Sequence, residues 1–187
     1  MLQVQNNIME TERLLLRKLN PEIYQYVMTS KNDEELKQYF GFATDEELLT
    51  EKDRFKKGLS TFNKSFLFFY IIEKQSNRVI GWCGYHTWYF THSRAEIGYM
   101  LNADSDKGKG YMKEALKAII SYGFNVMNLH RIEALIGPEN VPSLKLVSSF
   151  GFSKEGTLRE HYFKNNKMED SVIFSLLKRE YEAKNSN

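Results

Sequence analysis

Cysteine is almost absent from this chain: its 187 residues carry one, Cys83, so no intramolecular disulfide can form. A lone thiol fits a reducing compartment, and its apolar setting, GWCGY, suits a buried structural side chain better than a nucleophile. Proline is scarce as well, with 3 residues, two of them placed like helix starts. Repeats, low-complexity stretches and linker-like segments are missing, which points to a single domain over about residues 10–180 with loose ends at 1–9 and 181–187. No run approaches a membrane span, and MLQVQNNIME lacks a basic-then-apolar signal pattern, so a cytoplasmic location is expected. Excess charge of either sign is lacking too. The net charge of +2 creates no broad field for nucleic acid or an anionic membrane, and binding to neither is expected. His86, His92, His130 and His161 show no paired spacing and no Cys/His cluster exists, so no metal is expected.

What the chain does have is apolar and aromatic mass. Residues of that kind make up 42%, with 13 Phe and 11 Tyr, enough for a sizeable core. ERLLLRKL (12–19) reads as a strand, and Asn20-Pro21 as the N-cap and first residue of a helix. Thr44 with Glu47 forms a capping box for a second helix reaching about Phe62. FLFFYIIE and RVIGWCGYHTWYF read as hairpin strands around Ser76-Asn77, and THS (91–93) turns into RAEIGYML. Met112, Ala115, Leu116, Ile119 and Ile120 then make one helical stripe. RIEALIG (131–137) is a strand, VPSLKLVSSF a short helix ending at Gly151, and the last segment is two strands around an Asn-Asn turn. The order predicts an α/β (α+β) fold: a mixed, mostly antiparallel sheet of about seven strands with helices on both faces.

The loop NADSDKGKGYM (102–112) carries the densest chemical signal. Asp104-x-Asp106 suggests calcium, but Gly108, Lys109 and Ala115 stand where an EF-hand-like loop needs a ligand, a glycine and a carboxylate. Gly108-Lys109 is followed by Gly110 rather than Ser or Thr, against a Walker loop, and Lys113 stands where a dinucleotide fingerprint needs its third glycine. What remains is a nest of N–H groups from Lys107 to Tyr111 at a helix N-terminus, suited to a diphosphate, with Lys107 and Lys109 able to add charge. From GKG alone, a plain strand–helix turn fits as well.

The ordered set AEIGYML-x₆-GKG-x₃-EAL followed by RIEALI-x₃-N-x₂-S-x₇-GF resembles the GNAT superfamily of acetyl-CoA-dependent N-acetyltransferases. The ETERLLLRKL opening and the Asn140-x-x-Ser143 spacing are similar to its RimJ/RimL-type branch, which acetylates ribosomal-protein N-termini. The resemblance runs over about residues 10–180. It implies a GNAT fold, with the coenzyme A diphosphate in the nest of Lys107, Gly108, Lys109, Gly110, Tyr111 and Met112. It further implies a pantetheine arm pairing with Tyr99, Met100 and Leu101 in a splay between that strand and RIEALIG, and Asn140 and Ser143 beside the arm. Ser105 departs from the Arg or Gln that many members carry there, which leaves the backbone amides as the main diphosphate ligands.

The implied reaction is acyl transfer to an amine, which must first lose a proton. An α-amine of pKa ~8 is about 10% neutral at pH 7 and a lysine of pKa ~10.4 about 0.04%, so an N-terminal acceptor asks least of a base. Glu96, on the strand expected to line the thioester, is the first candidate. Glu160 and Glu133 follow, Glu133 facing away from Ile132, Ala134 and Ile136 by strand alternation. In RimL-like enzymes the carboxylate falls at the position of Tyr162, which shares a face with Glu160 by strand alternation, so Glu160 can reach the same water. A backbone N–H within Tyr99–Leu101 can serve the oxyanion. Many GNAT enzymes protonate the thiolate with a tyrosine where this chain has Val147, so Ser143 is the candidate acid. The expected acceptor is a protein or peptide N-terminus. Rival readings are a small amine such as a polyamine or aminoglycoside, favoured by an acidic acceptor groove, and a non-catalytic coenzyme A sensor. The aromatic run 88–90 with Tyr85 and Trp82 suits core on one face and an acceptor wall or homodimer contact on the other.

Overall fold

A computed structural model describes residues 7–58, 66–164 and 166–185. Its strands are β1 (Ile8–Glu10), β2 (Leu14–Leu19), β3 (Leu67–Glu73), β4 (Arg78–Tyr89), β5 (Arg94–Leu101), β6 (Arg131–Ile136), β7 (Ser153–Lys164) and β8 (Lys167–Leu177). Its helices are α1 (Pro21–Ser30), α2 (Asp33–Phe40), α3 (Asp45–Lys57), α4 (Tyr111–Asn125), α5 (Val141–Ser149) and α6 (Lys178–Asn185). The hydrogen-bonded strand order is β1-β2-β3-β4-β5-β6-β8-β7, with β5 and β6 parallel. The pairs β1–β2, β2–β3, β3–β4, β6–β8 and β7–β8 are antiparallel. Among the described residues the sheet thus has 8 strands, against the expected seven or so. β1 is the addition, a three-residue strand that exists through its pairing with β2. No described helix is long and apolar enough to cross a membrane.

The chain divides into two compact units, one drawn from the chain up to Thr87 with Gly98–Ile119, the other from Trp88–Ile97 with the chain from Ile120 onward. In the first, helix starts follow the local chemistry. Asn20 accepts from the Ile23 amide with Pro21 in the first turn of α1, and Thr44 and Glu47 close a reciprocal capping box on α3. α3 ends at Lys57 before Gly58; the expected extension toward Phe62 falls on 59–62, outside the described residues. The sequence reading passed over α2, although Asn32 and Glu35 also form a capping box and Gly41 terminates the helix at φ +76°. Its Leu36 and Phe40 join Leu19, Tyr24, Val27, Leu48 and Phe66 in one buried cluster. Edge-on ring contacts hold that cluster, among them Tyr24 with Phe40 at 6.3 Å and with Phe55 at 5.6 Å. β3 and β4 approach within backbone contact because Gly84 has no side chain: a β-carbon there would lie 2.3 Å from the Leu67 carbonyl.

In the second unit β6 alternates as predicted, with Ile132, Ala134 and Ile136 buried and Glu133 on the other face. These three lie opposite Leu176, Phe174 and Val172 of β8, and Val147 and Phe152 are likewise buried in this unit. Gly151 takes φ +90° just past α5, as its place after a helix suggests. α6 begins before the expected loose end at 181–187 and runs into it, is polar along its length, and stacks Tyr181 on Phe124 with ring centroids 4.8 Å apart. The Asn-Asn turn between β7 and β8 keeps Asn166 at φ 59°, while Asn165 lies outside the described residues.

Candidate active site

The loop ahead of α4 belongs to the first unit, and its side chains explain how its backbone is held. Asp106 is 2% exposed beneath the loop, 3.2 Å from Arg78 Nη2 and 3.9 Å from Lys109 Nζ. The pair of aspartates that suggested calcium is therefore built into ion pairs, Asp104 with Lys107 and Asp106 with Arg78 and Lys109. Gly108 and Gly110 adopt φ +73° and +83°, where an L side chain is strained. Among the described residues, nothing beyond its chain neighbours lies within 4 Å of where a Gly108 β-carbon would project, whereas one at Gly110 would come 3.4 Å from Arg13 Nη2. The result is an open, positively curled turn feeding the N-terminus of α4. That geometry fits an anionic group, since the N-terminus of α4 follows the turn and the glycines admit close approach. The Lys107 amide expected in the nest is instead taken by the Asp104 carbonyl at 3.0 Å.

Arg13, which the sequence reading did not single out, ties this turn to β2. Its Nε reaches Glu114 Oε2 at 2.7 Å, its Nη1 donates to the Lys109 carbonyl at 3.0 Å, and its guanidinium stacks on Tyr111 at 4.8 Å. Burial works against the Glu114 charge. The Thr11 hydroxyl, the Arg13 amide and the guanidinium outweigh it and hold the carboxyl below its ordinary pKa. The Tyr111 hydroxyl donates to Glu73, which raises the phenol. Lys107 and Lys109, the expected charge donors, both face loop aspartates, but their side chains are 62% and 53% exposed and can exchange partners cheaply.

Of the expected pantetheine strand, Met100 is 52% exposed, and Tyr99 and Leu101 are half-buried. Gly81 permits this geometry, since a β-carbon there would sit 2.2 Å from the Met100 carbonyl. Met100 and Asn102 also line a cavity of about 740 Å³ within this unit. Its walls are largely aromatic, including Phe42, Phe66, Phe68, Tyr70 and Trp82, and α3 contributes Glu46, Glu47, Glu51 and Arg54. Half-buried His86 packs beside Gly98, and burial pushes its imidazole down to about 4, so it is neutral at pH 7.

The candidate acid–base groups lie in the second unit. Glu96 is 9% exposed and stands in register with Glu133 across the parallel β5–β6 pair. Glu133 is committed to Arg94 Nη1 at 2.6 Å and Arg131 Nε at 2.8 Å, a structural ion pair rather than a free base. Glu160 sits at φ 52° in a bulge between Leu158 and Tyr162, with its amide donating to Asp170 Oδ1 at 2.8 Å. The interruption breaks the alternation on which the equivalence of 160 and 162 depended. Tyr162 is instead near enough to Glu96 that, after burial, the carboxylate charge raises its phenol. Its position was noted in the sequence only for what it lacked. Asn140 caps α5, its Oδ1 accepting from the Ser143 amide at 3.3 Å, and the Ser143 hydroxyl makes no hydrogen bond among the described residues.

Comparison with known proteins shows the family of the chain. The acetyltransferase (GNAT) domain family matches residues 13–153, and the chain belongs to that family. It is accordingly an acyltransferase, and the family uses acetyl-CoA as donor. The chain is 39% identical over 173 residues to the uncharacterized N-acetyltransferase p20 of Bacillus licheniformis, covering 91% of this chain and 96% of that protein. A GCN5-related N-acetyltransferase from Brucella melitensis superposes with a TM-score of 0.70 at 27% identity, covering 94% of this chain and 80% of that one. Two shorter matches differ in acceptor. A Bacillus subtilis protein provisionally named a ribosomal N-acetyltransferase, YdaF, is 36% identical over 48% of this chain and 49% of its own. The spermidine N(1)-acetyltransferase of Escherichia coli is 29% identical over 49% of each.

Proposed function

We propose that this acyltransferase moves the acetyl group of acetyl-CoA to a primary amine by direct attack, with the α-amine of a protein N-terminus as acceptor. The observation that carries the donor half is the open turn at Gly108 and Gly110 feeding the N-terminus of α4. In this reading the neutral amine forms the new C–N bond at the thioester carbon. The surplus proton passes to the Glu96 carboxylate, directly or through water, and the C–S bond breaks as the Ser143 hydroxyl protonates the thiolate. The serine regains a proton from water while Glu96 returns its own to solvent. The backbone of Tyr99–Leu101 receives the pantetheine arm. Support for Glu96 comes from its burial on β5, and Glu133 is already engaged by Arg94 and Arg131. The RimJ/RimL-type opening and the likeness to YdaF support a ribosomal-protein acceptor.

A second acceptor reading has a specific observation behind it. The carboxylates of α3 in the aromatic cavity favour a small cationic amine, and the likeness to a spermidine acetyltransferase points the same way. Release of thiol from acetyl-CoA, measured with free peptides, N-terminally blocked lysine peptides and small amines, tests the whole reading. Mass spectrometry then locates the acetyl group. Turnover on free peptides alone supports the protein acceptor, turnover on small amines alone supports the second reading, and no release with any amine sinks the enzymatic role.

A further inference from the structure

We propose that Tyr162 is a substrate-contacting residue of the acetyl-transfer site, its hydroxyl oxygen accepting a hydrogen bond from the acceptor nitrogen while Glu96 takes the proton. This rests on the acetyl-transfer reading above, names a second group at the same site, and holds for any primary amine.

The register of the second unit puts the two side chains on one face of the sheet. Residues paired across a ladder point the same way. Glu96 pairs with Glu133, and Glu133 with Ser175. Along β8, Ser175, Ile173, Ser171 and Glu169 share a face by alternation, and Glu169 pairs with Tyr162. The last partners between β6 and β8 are Ile136 and Val172. Residues 167–171 of β8 therefore pair with β7 alone, a two-stranded arm reaching beyond β6 with Tyr162 on the Glu96 side. The Glu96 charge is felt at the phenol and, after burial, helps to keep it protonated.

The bulge decides which residue stands there. Leu158 pairs with Ser171, and uninterrupted pairing from that point would set Glu160 against Glu169. Instead three residues face Asp170, and Tyr162 takes the place opposite Glu169. The detour is pinned at each step. Glu160 is held in the left-handed region at φ 52° with its amide on Asp170 Oδ1 at 2.8 Å. His161 Nδ1 lies 3.1 Å from Oγ of Ser171, which is 2% exposed. The His161 ring then meets Tyr162 edge-on, with centroids 4.6 Å apart. A strained residue fixed from several sides, beside a ring aimed by its neighbour, is a device for positioning a reacting group.

The chemistry asks for a second acceptor. A neutral primary amine has one lone pair and two N–H groups, and the lone pair is aimed at the thioester carbon when both hydrogens are held elsewhere. Glu96 receives the hydrogen that is lost. The other needs an oxygen that does not compete for the proton. Other carboxylates on this side of the sheet have cations already: Glu133 has Arg94 and Arg131, Glu155 has Arg131, and Glu169 has Lys167. The Tyr162 hydroxyl makes no hydrogen bond among the described residues, and the residue is 44% exposed, open to an incoming ligand. As the C–N bond forms and the C–S bond breaks, Tyr162 neither gains nor loses a proton.

Tyr162→Phe keeps the ring against His161 and removes only the oxygen, so the fold should stand. Thiol release from acetyl-CoA is followed with a free-amine tetrapeptide and with 1-aminobutane from pH 6 to pH 9. With each amine the variant should lose about tenfold in kcat/KM, the size of one hydrogen bond. The loss should be the same across that range, because the titratable groups around the ring, Glu96, His161, Glu169 and Asp170, are all retained. Coenzyme A affinity by calorimetry and Tm should match the parent. Unchanged kcat/KM with both amines overturns the contact. A loss that shrinks at high pH overturns it in favour of a part in proton transfer, and an equal fall in coenzyme A affinity or a lowered Tm overturns it in favour of a structural role. A parent that releases no thiol with any amine overturns the transfer reading and the contact with it.

Discussion

Gly108 and Gly110 share a backbone conformation but not surroundings, and substitution should separate the two. At Gly108 a valine meets strain from φ +73° and fills open space where an anion would approach. At Gly110 it meets the same strain and also crowds Arg13. Both variants should lose coenzyme A affinity by calorimetry, and each should cost about 1–2 kcal/mol of stability for the left-handed residue, with Gly110→Val the worse. Unchanged affinity in both would remove the turn from the donor site. For the base, Glu96→Gln should lower kcat/KM by about 10²–10⁴-fold, with the smallest loss at high pH where the amine is already neutral. A loss equal at every pH would mean that Glu96 positions groups instead of taking the proton. These positions were legible because a glycine pair before a helical stripe, and a carboxylate in an apolar strand, are local signals. Arg13 was not, because nothing in ETERLLLRKL reveals that its guanidinium meets Glu114 and the Lys109 carbonyl, both about a hundred residues away.

Among the elements, the contact between β2 and the start of α4 invites the clearest test. Arg13→Ala removes the donor to Lys109 and the clamp on Glu114 together, so the turn should loosen without losing its glycines. We expect the KM for acetyl-CoA to rise about tenfold with kcat little changed, as for an interaction used in binding and transition state alike. Arg13→Lys keeps the charge but not the fork and should recover only part of it. A fall in kcat with an unchanged KM would count against the clamp. The same scale shows where sequence reasoning stopped. α1 and α3 were readable from their caps, and α4 and β6 from their periods. α2 carries a capping box, Asn32 with Glu35, like that of Thr44 and Glu47 on α3, but only Leu36 and Phe40 of its residues are buried, so its apolar pattern is thin. The bulge at Glu160 is defined by three residues facing one on β8, a fact about pairing that no single strand displays.

For the molecule as a whole, two stability measurements bear on the reading. Coenzyme A binds only the folded chain, so at about 100 times its Kd it should add roughly 2.7 kcal/mol and raise Tm by about 5–10 °C for a protein of this size. The same addition should leave the Gly108→Val variant almost unmoved in a thermal melt. The second measurement concerns acid. Burial lowers the His86 imidazole from 6.5 to about 4, so between those values the unfolded chain binds a proton that the folded chain refuses. Its contribution is therefore intact above pH 6.5 and lost as pH falls toward 4, by up to about 3 kcal/mol. Denaturant titrations of His86→Gln across that window should show a flatter acid limb than the parent; parallel limbs would place the acid sensitivity elsewhere.

Cys83 lies fully buried on β4, in register with Phe69 of β3, and burial alone pushes its thiol well above the ordinary range. The only sulfhydryl in the protein is thus chemically silent while the β3–β4 hairpin stays closed. A disulfide reagent added to report liberated coenzyme will read that coenzyme against almost no background from the catalyst. Left for hours without substrate, the same reagent becomes a clock: each molecule it labels has opened that hairpin, and the labelling rate measures how often.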